Sequence, residues 1–247
     1  MRIALSGYGK MGREIEQVAV ERGHTVVCRY DSQEDWNNWD MDQKNVDVVI
    51  EFSMPNSVMN NIFKCFDANL PVVVGTTGWF DQLEHVREVC EEHGKTLFYA
   101  SNFSLGVNIF FELNRRLAAM MHDHEQYDVS IEETHHQHKV DAPSGTAIHL
   151  ANDIIDHLGR KDKWVNRDAT LGYELGVVSH RKGEVHGTHT VKYSSDSDQI
   201  EIIHTAHDRK GFAVGAVLAA EYIQHHRAGI YTMTNMLNDP KFHGLMK

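Results

Sequence analysis

Cysteine is scarce in this chain: Cys28, Cys65 and Cys90 lie far apart, are odd in number and show no Cys-x-x-Cys spacing. That pattern argues against a disulfide framework and against a structural zinc site. Long apolar runs are also missing. None reaches about 18 residues, so no membrane-spanning helix is expected. Met1-Arg2-Ile3-Ala4-Leu5 enters a strand pattern at once, with no basic stretch leading into an apolar one. No secretory leader is therefore expected, and the reducing cytoplasm is the expected location. Positive charge is the minority, with 24 Lys and Arg against 35 Asp and Glu, for a formal net charge of -11. Such a chain is a poor partner for nucleic acid or an anionic membrane, although a local basic cluster can still receive a small anion.

What is present is a regular alternation over the first hundred residues. Arg2–Ser6, Thr25–Tyr30, Asp47–Phe52, Val72–Val74 and Leu97–Tyr99 read as strands. Between them, Met11–Arg22, Asn56–Asn69 and Asp81–His93 read as helices, the first with Met11, Ile15, Val18 and Ala19 on one face. Near-continuous apolar strands alternating with helices imply a parallel sheet covered on both sides. The pattern then changes. Val107–Met121 is a long helix, Asp128–Glu133 a strand, and a further helix begins near Ser144. Gly176–His180, Gly187–Tyr193 and Ile200–Ala206 alternate like strands of an antiparallel or mixed sheet, and a last helix starts at Gly211. The reading is α/β: a Rossmann-like parallel-sheet domain over 1–106, then an α+β domain for substrate and oligomerisation over 107–207. The C-terminal part, about 208–247, is expected to pack back on the first domain.

Gly7-Tyr8-Gly9-Lys10-Met11-Gly12 is a G-x-G-x-x-G between the first strand and the first helix. Glycines permit the tight turn and let a pyrophosphate approach the main chain, where helix N–H groups face it. Asp31, 19 residues beyond Gly12, ends the second strand and can accept hydrogen bonds from a ribose diol. Gly75-Thr76-Thr77-Gly78 and Ala100-Ser101-Asn102-Phe103 each follow a strand, at the end of the sheet where open α/β folds hold ligands. Taken alone, either could be a plain turn.

The densest chemistry lies in Glu132–Ala147, which contains His135-His136-Gln137-His138-Lys139 and Pro143-Ser144-Gly145-Thr146. If His135–Lys139 is extended, His135 and Lys139 face one side and His136 and His138 the other. A proton-transfer residue and a fixed cation then share one wall. The helix opening at Ser144–Thr146 offers unpaired N–H groups and a positive dipole end, a seat for a carboxylate or simply a cap. His136 and His138 have the spacing of strand metal ligands, but no third ligand and no His-Glu-x-x-His accompany them, so no metal is expected.

The order of these motifs, with GEVHGTHTV and FAVGAVLAAEYI downstream, resembles the dihydrodipicolinate reductase family across Gly7–Ile223. The HHQHKVDAPSGTA element is the most specific part. The resemblance implies a homotetramer that reduces 4-hydroxy-tetrahydrodipicolinate, a small cyclic dicarboxylate of the diaminopimelate and lysine route, with NADH or NADPH. It implies His135 as general acid, Lys139 as its partner cation, and His136, Gly145 and Thr146 on the substrate carboxylate. It implies Gly7 to Gly12, Asp31, Gly75 to Thr77 and Ala100 to Phe103 around the cofactor. Two departures touch the cofactor end: the glycine loop is one residue shorter than in many members, and the segment bearing Trp36 and Trp39 is brief. Two rival readings are another two-domain NAD(P)-dependent dehydrogenase and a non-catalytic dinucleotide sensor. A semialdehyde dehydrogenase would want a nucleophilic Cys, and none lies in the His135–Thr146 segment. A sensor would have no need of that segment.

Overall fold

The computed structural model describes residues 1–32, 46–226 and 228–242. The segment with Trp36 and Trp39 lies outside them. The chain divides into two compact units, Gly106–Asp208 and the segments on either side of it.

The first unit is built on six parallel strands in the order β11-β5-β4-β3-β1-β2. They are β1 (Arg2–Ser6), β2 (Thr25–Tyr30), β3 (Val48–Glu51), β4 (Val72–Val74), β5 (Thr96–Tyr99) and β11 (Gly229–Tyr231). Helices α1 (Lys10–Glu21), α2 (Val58–Asp67), α3 (Leu83–Glu92), α6 (Lys210–Gln224) and the short α7 (Met233–Asn238) complete it. Ile3, Ala4 and Leu5 are all essentially buried, as are Val48, Val49 and Ile50. A strand covered on both faces has no polar side to spare, which is why these segments read as unbroken apolar runs. Chain order reverses between β1 and β3, so the loops after them open a crevice at their carboxyl ends.

Helix α6 is apolar almost all round. Ala213, Ala216, Val217, Ala219, Ala220 and Ile223 are buried, and Gly215 lies so close to the Phe103 carbonyl that no Cβ would fit. Small residues let α6 approach α1 and the sheet. At its far end, Arg22 donates to both Glu221 oxygens at 2.8 and 2.7 Å, and His24 Nε2 lies 2.7 Å from Oε1. Beyond α6 the chain adds β11 to the edge of the sheet, parallel to β5.

The second unit contains α4, which begins at its edge (Leu105–Met120), α5 (Gly145–Leu158) and a five-stranded mixed sheet in the order β10-β9-β6-β8-β7. These strands are β6 (Asp128–His135), β7 (Lys163–Val165), β8 (Glu174–Arg181), β9 (Gly187–Ser194) and β10 (Gln199–Ala206). Central β6 runs antiparallel to β9 and parallel to β8. Val129, Ile131, Val177, Val191 and Tyr193 pack with Phe110, Leu150 and Ile154 in one core.

Three elements are absent from the sequence reading: β7, β11 and α7. The segment Asp81–His93 is a 3-10 turn at Phe80–Gln82 followed by α3. His135–Lys139 is not extended: β6 stops at His135 and the next residues turn, with the Lys139 N–H donating to the His136 carbonyl at 3.2 Å. Among the described residues, no helix is long and apolar enough to cross a membrane.

Candidate active site

Two constellations stand out, one in each unit. In the first unit the loop after β1 turns through Gly7, whose φ of 88° suits glycine and where a Cβ would strike the Phe52 carbonyl. Nothing lies within 4 Å of the place a Cβ on Gly9 would occupy. Gly9 is also the N-cap of α1 and supplies no side-chain cap. Gly9 thus leaves room at the uncapped start of α1, where a helix N-terminus suits a pyrophosphate, and the loop fits a dinucleotide. Asp31 reaches the same loop, its Oδ1 accepting from the Tyr8 N–H at 2.9 Å.

A cavity of about 300 Å³ continues along the sheet end, lined by Met11, Phe52, Gly75, Ser101, Asn102, Phe103, Arg209 and Phe212. The structure thus brings the glycine loop, the β4 loop and the β5 loop to one place. Thr76 is buried, with Oγ1 accepting from the Ser53 N–H at 2.8 Å; Thr77 is exposed. Asn102 Oδ1 caps the Ser104 N–H at 2.9 Å. The Phe103 ring is buried in the core beside Phe52 and Phe98, at centroid distances of 5.4 and 5.8 Å. Arg209 and Phe212, which sequence reasoning missed, enter from the start of α6. Their signal was weak, because nothing local ties a basic residue at 209 to loops more than a hundred residues earlier.

In the second unit, alternation along β6 turns Val129, Ile131, Glu133 and His135 to the buried side. Glu133 is 1 % exposed. Its oxygens accept from the Ser144 N–H at 3.0 and 3.1 Å, and Oε1 accepts from the Ser179 hydroxyl at 2.8 Å. Burial pushes its carboxyl up, but contacts with His189, Ser144 and Ser179 outweigh this and bring it to about 2. His135, 7 % exposed, holds Nδ1 3.5 Å from Glu133 Oε2, and its ring lies 5.0 Å from that of His189. Burial lowers the His135 imidazole most; Glu133 opposes this, while His189, Lys139 and Arg181 add to it, leaving about 4.

The following turn carries Lys139, whose ammonium donates to both oxygens of Asp141 at 2.7 and 2.9 Å. Arg181 on β8 braces the turn: its Nε donates to the Lys139 carbonyl at 3.2 Å and its Nη2 to the Asp141 carbonyl at 2.6 Å. Ser144 caps α5 by accepting from the Ala147 N–H at 3.2 Å. Nothing lies within 4 Å of a Cβ placed on Gly145, so the helix opening is accessible to an anion beside Gly145 and Thr146. His136 is half-buried, and exposed His138 sits 3.7 Å from Glu184. Glu133, His189 and Arg181 were not singled out from the sequence. The period-two step from His135 back to Glu133 was the available signal; His189 and Arg181 arrive only through strand pairing.

Among the described residues, Glu133, His135 and His189 form a group whose ligand atoms lie within 4.8 Å of one another, a spacing a metal ion can use. Glu133 accepts from Ser144 and Ser179, and His189 Nε2 lies 3.1 Å from the Ser144 hydroxyl, while the Nδ1 atoms of His135 and His189 are buried without a hydrogen-bond partner. The His136–His138 pair is not part of it.

Two family profiles match the chain: "Dihydrodipicolinate reductase, N-terminus" over residues 1–103 and "Dihydrodipicolinate reductase, C-terminus" over 106–237. A 4-hydroxy-tetrahydrodipicolinate reductase of Christiangramia forsetii is 48% identical over 239 residues, 97% of this chain and 98% of the relative. One from Methanopyrus kandleri is 41% identical over 199 residues, 78% of this chain and 72% of the relative. Among solved structures, a dipicolinate-bound dihydrodipicolinate reductase from Paenisporosarcina sp. superposes with a TM-score of 0.72 at 22% identity, covering 94% of this chain and 97% of the other.

Proposed function

The chain belongs to the dihydrodipicolinate reductase family, and from that premise we propose that it reduces 4-hydroxy-tetrahydrodipicolinate to tetrahydrodipicolinate with a reduced nicotinamide cofactor. The first unit is the dinucleotide-binding part and the second the substrate-binding and oligomerisation part. The observation that carries the reading is the constellation on β6 and α5: a buried imidazole backed by a carboxylate, a lysine on the next turn and an open helix N-terminus. A sensor of dinucleotides has no use for it. The dipicolinate bound to the Paenisporosarcina protein supports a small ring dicarboxylate as substrate.

In the proposed reaction the substrate loses its hydroxyl as water and gains one hydride and one proton. Reduced nicotinamide supplies the hydride when bound. Gly7 to Gly12 would take its pyrophosphate, Asp31 a ribose diol, and Gly75, Thr76, Thr77 and Ala100 to Phe103 the remainder, with Arg209 as an added cation. His135 donates the proton, a step in which a positioned acid contributes roughly 10²–10⁴-fold. Lys139, together with the amides of Gly145 and Thr146 and with His136, holds a substrate carboxylate and so orients the ring. To do so Lys139 exchanges Asp141 for the substrate, one carboxylate for another, at little electrostatic cost. Either NADH or NADPH would serve. The free thiols of Cys28, Cys65 and Cys90 suit a reducing cytoplasm, and the family resemblance supports a homotetramer.

The test is oxidation of NADH by purified protein with and without the cyclic dicarboxylate, before and after treatment with a chelator. Substrate-dependent oxidation that survives chelation is expected. NADH binding without turnover would favour a sensor, and loss of zinc in step with activity would turn the Glu133–His135–His189 group into a metal centre.

A further inference from the structure

We propose that Glu16 positions Arg29 and thereby sets the chain's choice between NADH and NADPH: it withholds from the adenosine end the cation that a 2′-phosphate would need. The proposal rests on the reading that the glycine loop takes a dinucleotide.

Arg29 stands two residues before Asp31, and on a strand that spacing puts both on the same side. On that spacing alone Arg29 would be placed to offset the repulsion between Asp31 and a 2′-phosphate. The structure gives it another occupation. Its Nε donates to Glu16 Oε2 at 2.9 Å, and its Nη2 donates to Oε1 of the same carboxylate. The Tyr8 hydroxyl donates to Glu16 as well, and the guanidinium lies 5.6 Å from the centre of the Tyr8 ring. Arg29 is therefore fixed at two points by a carboxylate and backed by an aromatic face, the arrangement in which a guanidinium has least reason to leave.

The partner is well chosen for the task. The Glu16 side chain is 19 % exposed, half as much as that of Arg29 at 41 %. The Arg29 hydrogen bonds hold the Glu16 carboxyl below its ordinary range, against burial, so it stays ionised. Arg29 and Glu16 cancel in charge, and the Asp31 carboxylate accepts from the Tyr8 N–H beside them. A ribose diol can donate to that carboxylate; a 2′-phosphate, with close to two negative charges, is repelled. Arg13 also approaches the Tyr8 ring, at 5.8 Å, from the other strand–helix partner of the loop. Its presence makes Arg29 the second cation on one ring, and Glu16 relieves the resulting like-charge crowding.

Glu16→Gln keeps the shape and the Tyr8 contact while removing the charge that immobilises Arg29. The measurement is direct binding of NADH and of NADPH, followed by the quenching of protein fluorescence, for the parent, Glu16→Gln, Glu16→Ala and the double variant Glu16→Gln with Arg29→Gln. The expected result is an NADPH affinity raised about tenfold relative to NADH in both Glu16 variants, the scale of a charge-assisted bond to phosphate. NADH affinity should stay within about twofold, and the gain should shrink as salt rises. The double variant should return to the parent ratio, which a general loosening of α1 would not produce. An unchanged NADPH to NADH ratio in folded Glu16→Gln would overturn the proposal, as would the same gain in the double variant. Failure of both cofactors to bind the parent would instead remove the underlying reading of the glycine loop.

Discussion

His135 sits under opposed influences. Burial, His189, Lys139 and Arg181 favour the neutral ring; Glu133 favours the charged one, and the balance is about 4. The free protein at neutral pH therefore holds an uncharged imidazole. A dianionic substrate adds negative charge nearby and raises that value. The protonated form is the active one, so activity falls as pH rises through it. The limb should appear near pH 4 in kcat/KM, which reports the free enzyme, and at higher pH in kcat, which reports the complex. Coincident limbs in the two profiles would refute the coupling. His135→Gln should lower kcat by roughly 10²–10⁴-fold with NADH affinity intact; a loss under tenfold in a folded variant would move the acid elsewhere. At the other end of the reaction, Asp31→Ser removes both the diol acceptor and the repulsion of a 2′-phosphate. Its kcat/KM ratio should shift towards NADPH, and an unmoved ratio would mean that Asp31 does not meet the ribose.

Helix α5 is where an element, rather than a residue, makes the site. Ser144 accepts from the Ala147 N–H, touches His189 and gives its own N–H to Glu133. Ser144→Ala should cost about 1 kcal/mol of stability, the usual worth of such a cap, read as a lower midpoint in urea at unchanged slope. Turnover should fall further than that loss implies, because His189 loses the Ser144 hydroxyl while the backbone bond to Glu133 stays; full turnover would make the cap purely structural. Elements of this kind were legible in the sequence where periodicity is strong. The β1, α1 and β2 unit with its glycine loop, and the Ser144 opening of α5, follow from local pattern. Strand β7, Lys163–Val165, and strand β11, Gly229–Tyr231, did not. Three residues cannot show a period, and each is a strand only because β8 or β5 pairs with it. The turn at His136–Lys139 contains neither glycine nor proline, so nothing local in the sequence marks it; Arg181, about forty residues on, braces it through the carbonyls of Lys139 and Asp141. Arg29 was legible as a charge, but its commitment to Glu16 was not.

For the whole molecule, the same buried groups set acid stability. His135 titrates at about 4 when folded against 6.5 ordinarily, so between those values the unfolded chain takes up a proton that the folded one refuses. Stability falls as pH drops through that window, by an order of roughly 3 kcal/mol. His204, lowered by burial, adds in the same direction. Glu133 acts lower down: its contribution is present above 4.5 and is lost as pH falls towards 2. His135→Gln should accordingly flatten the decline of Tm between pH 6.5 and 4.5, and a parallel decline in the variant would show that other groups govern it. The path of the chain has a separate consequence. Helix α6 fills the core beneath β1 and β3, and β11 closes the edge of that sheet, yet both are made after Asp208. On the ribosome the opening β1–α1 unit emerges first but lacks its central helix until the whole intervening unit has been synthesised. The second unit, contiguous in the chain, can finish folding first, so the nascent glycine loop waits as an incomplete sheet for the last part of translation.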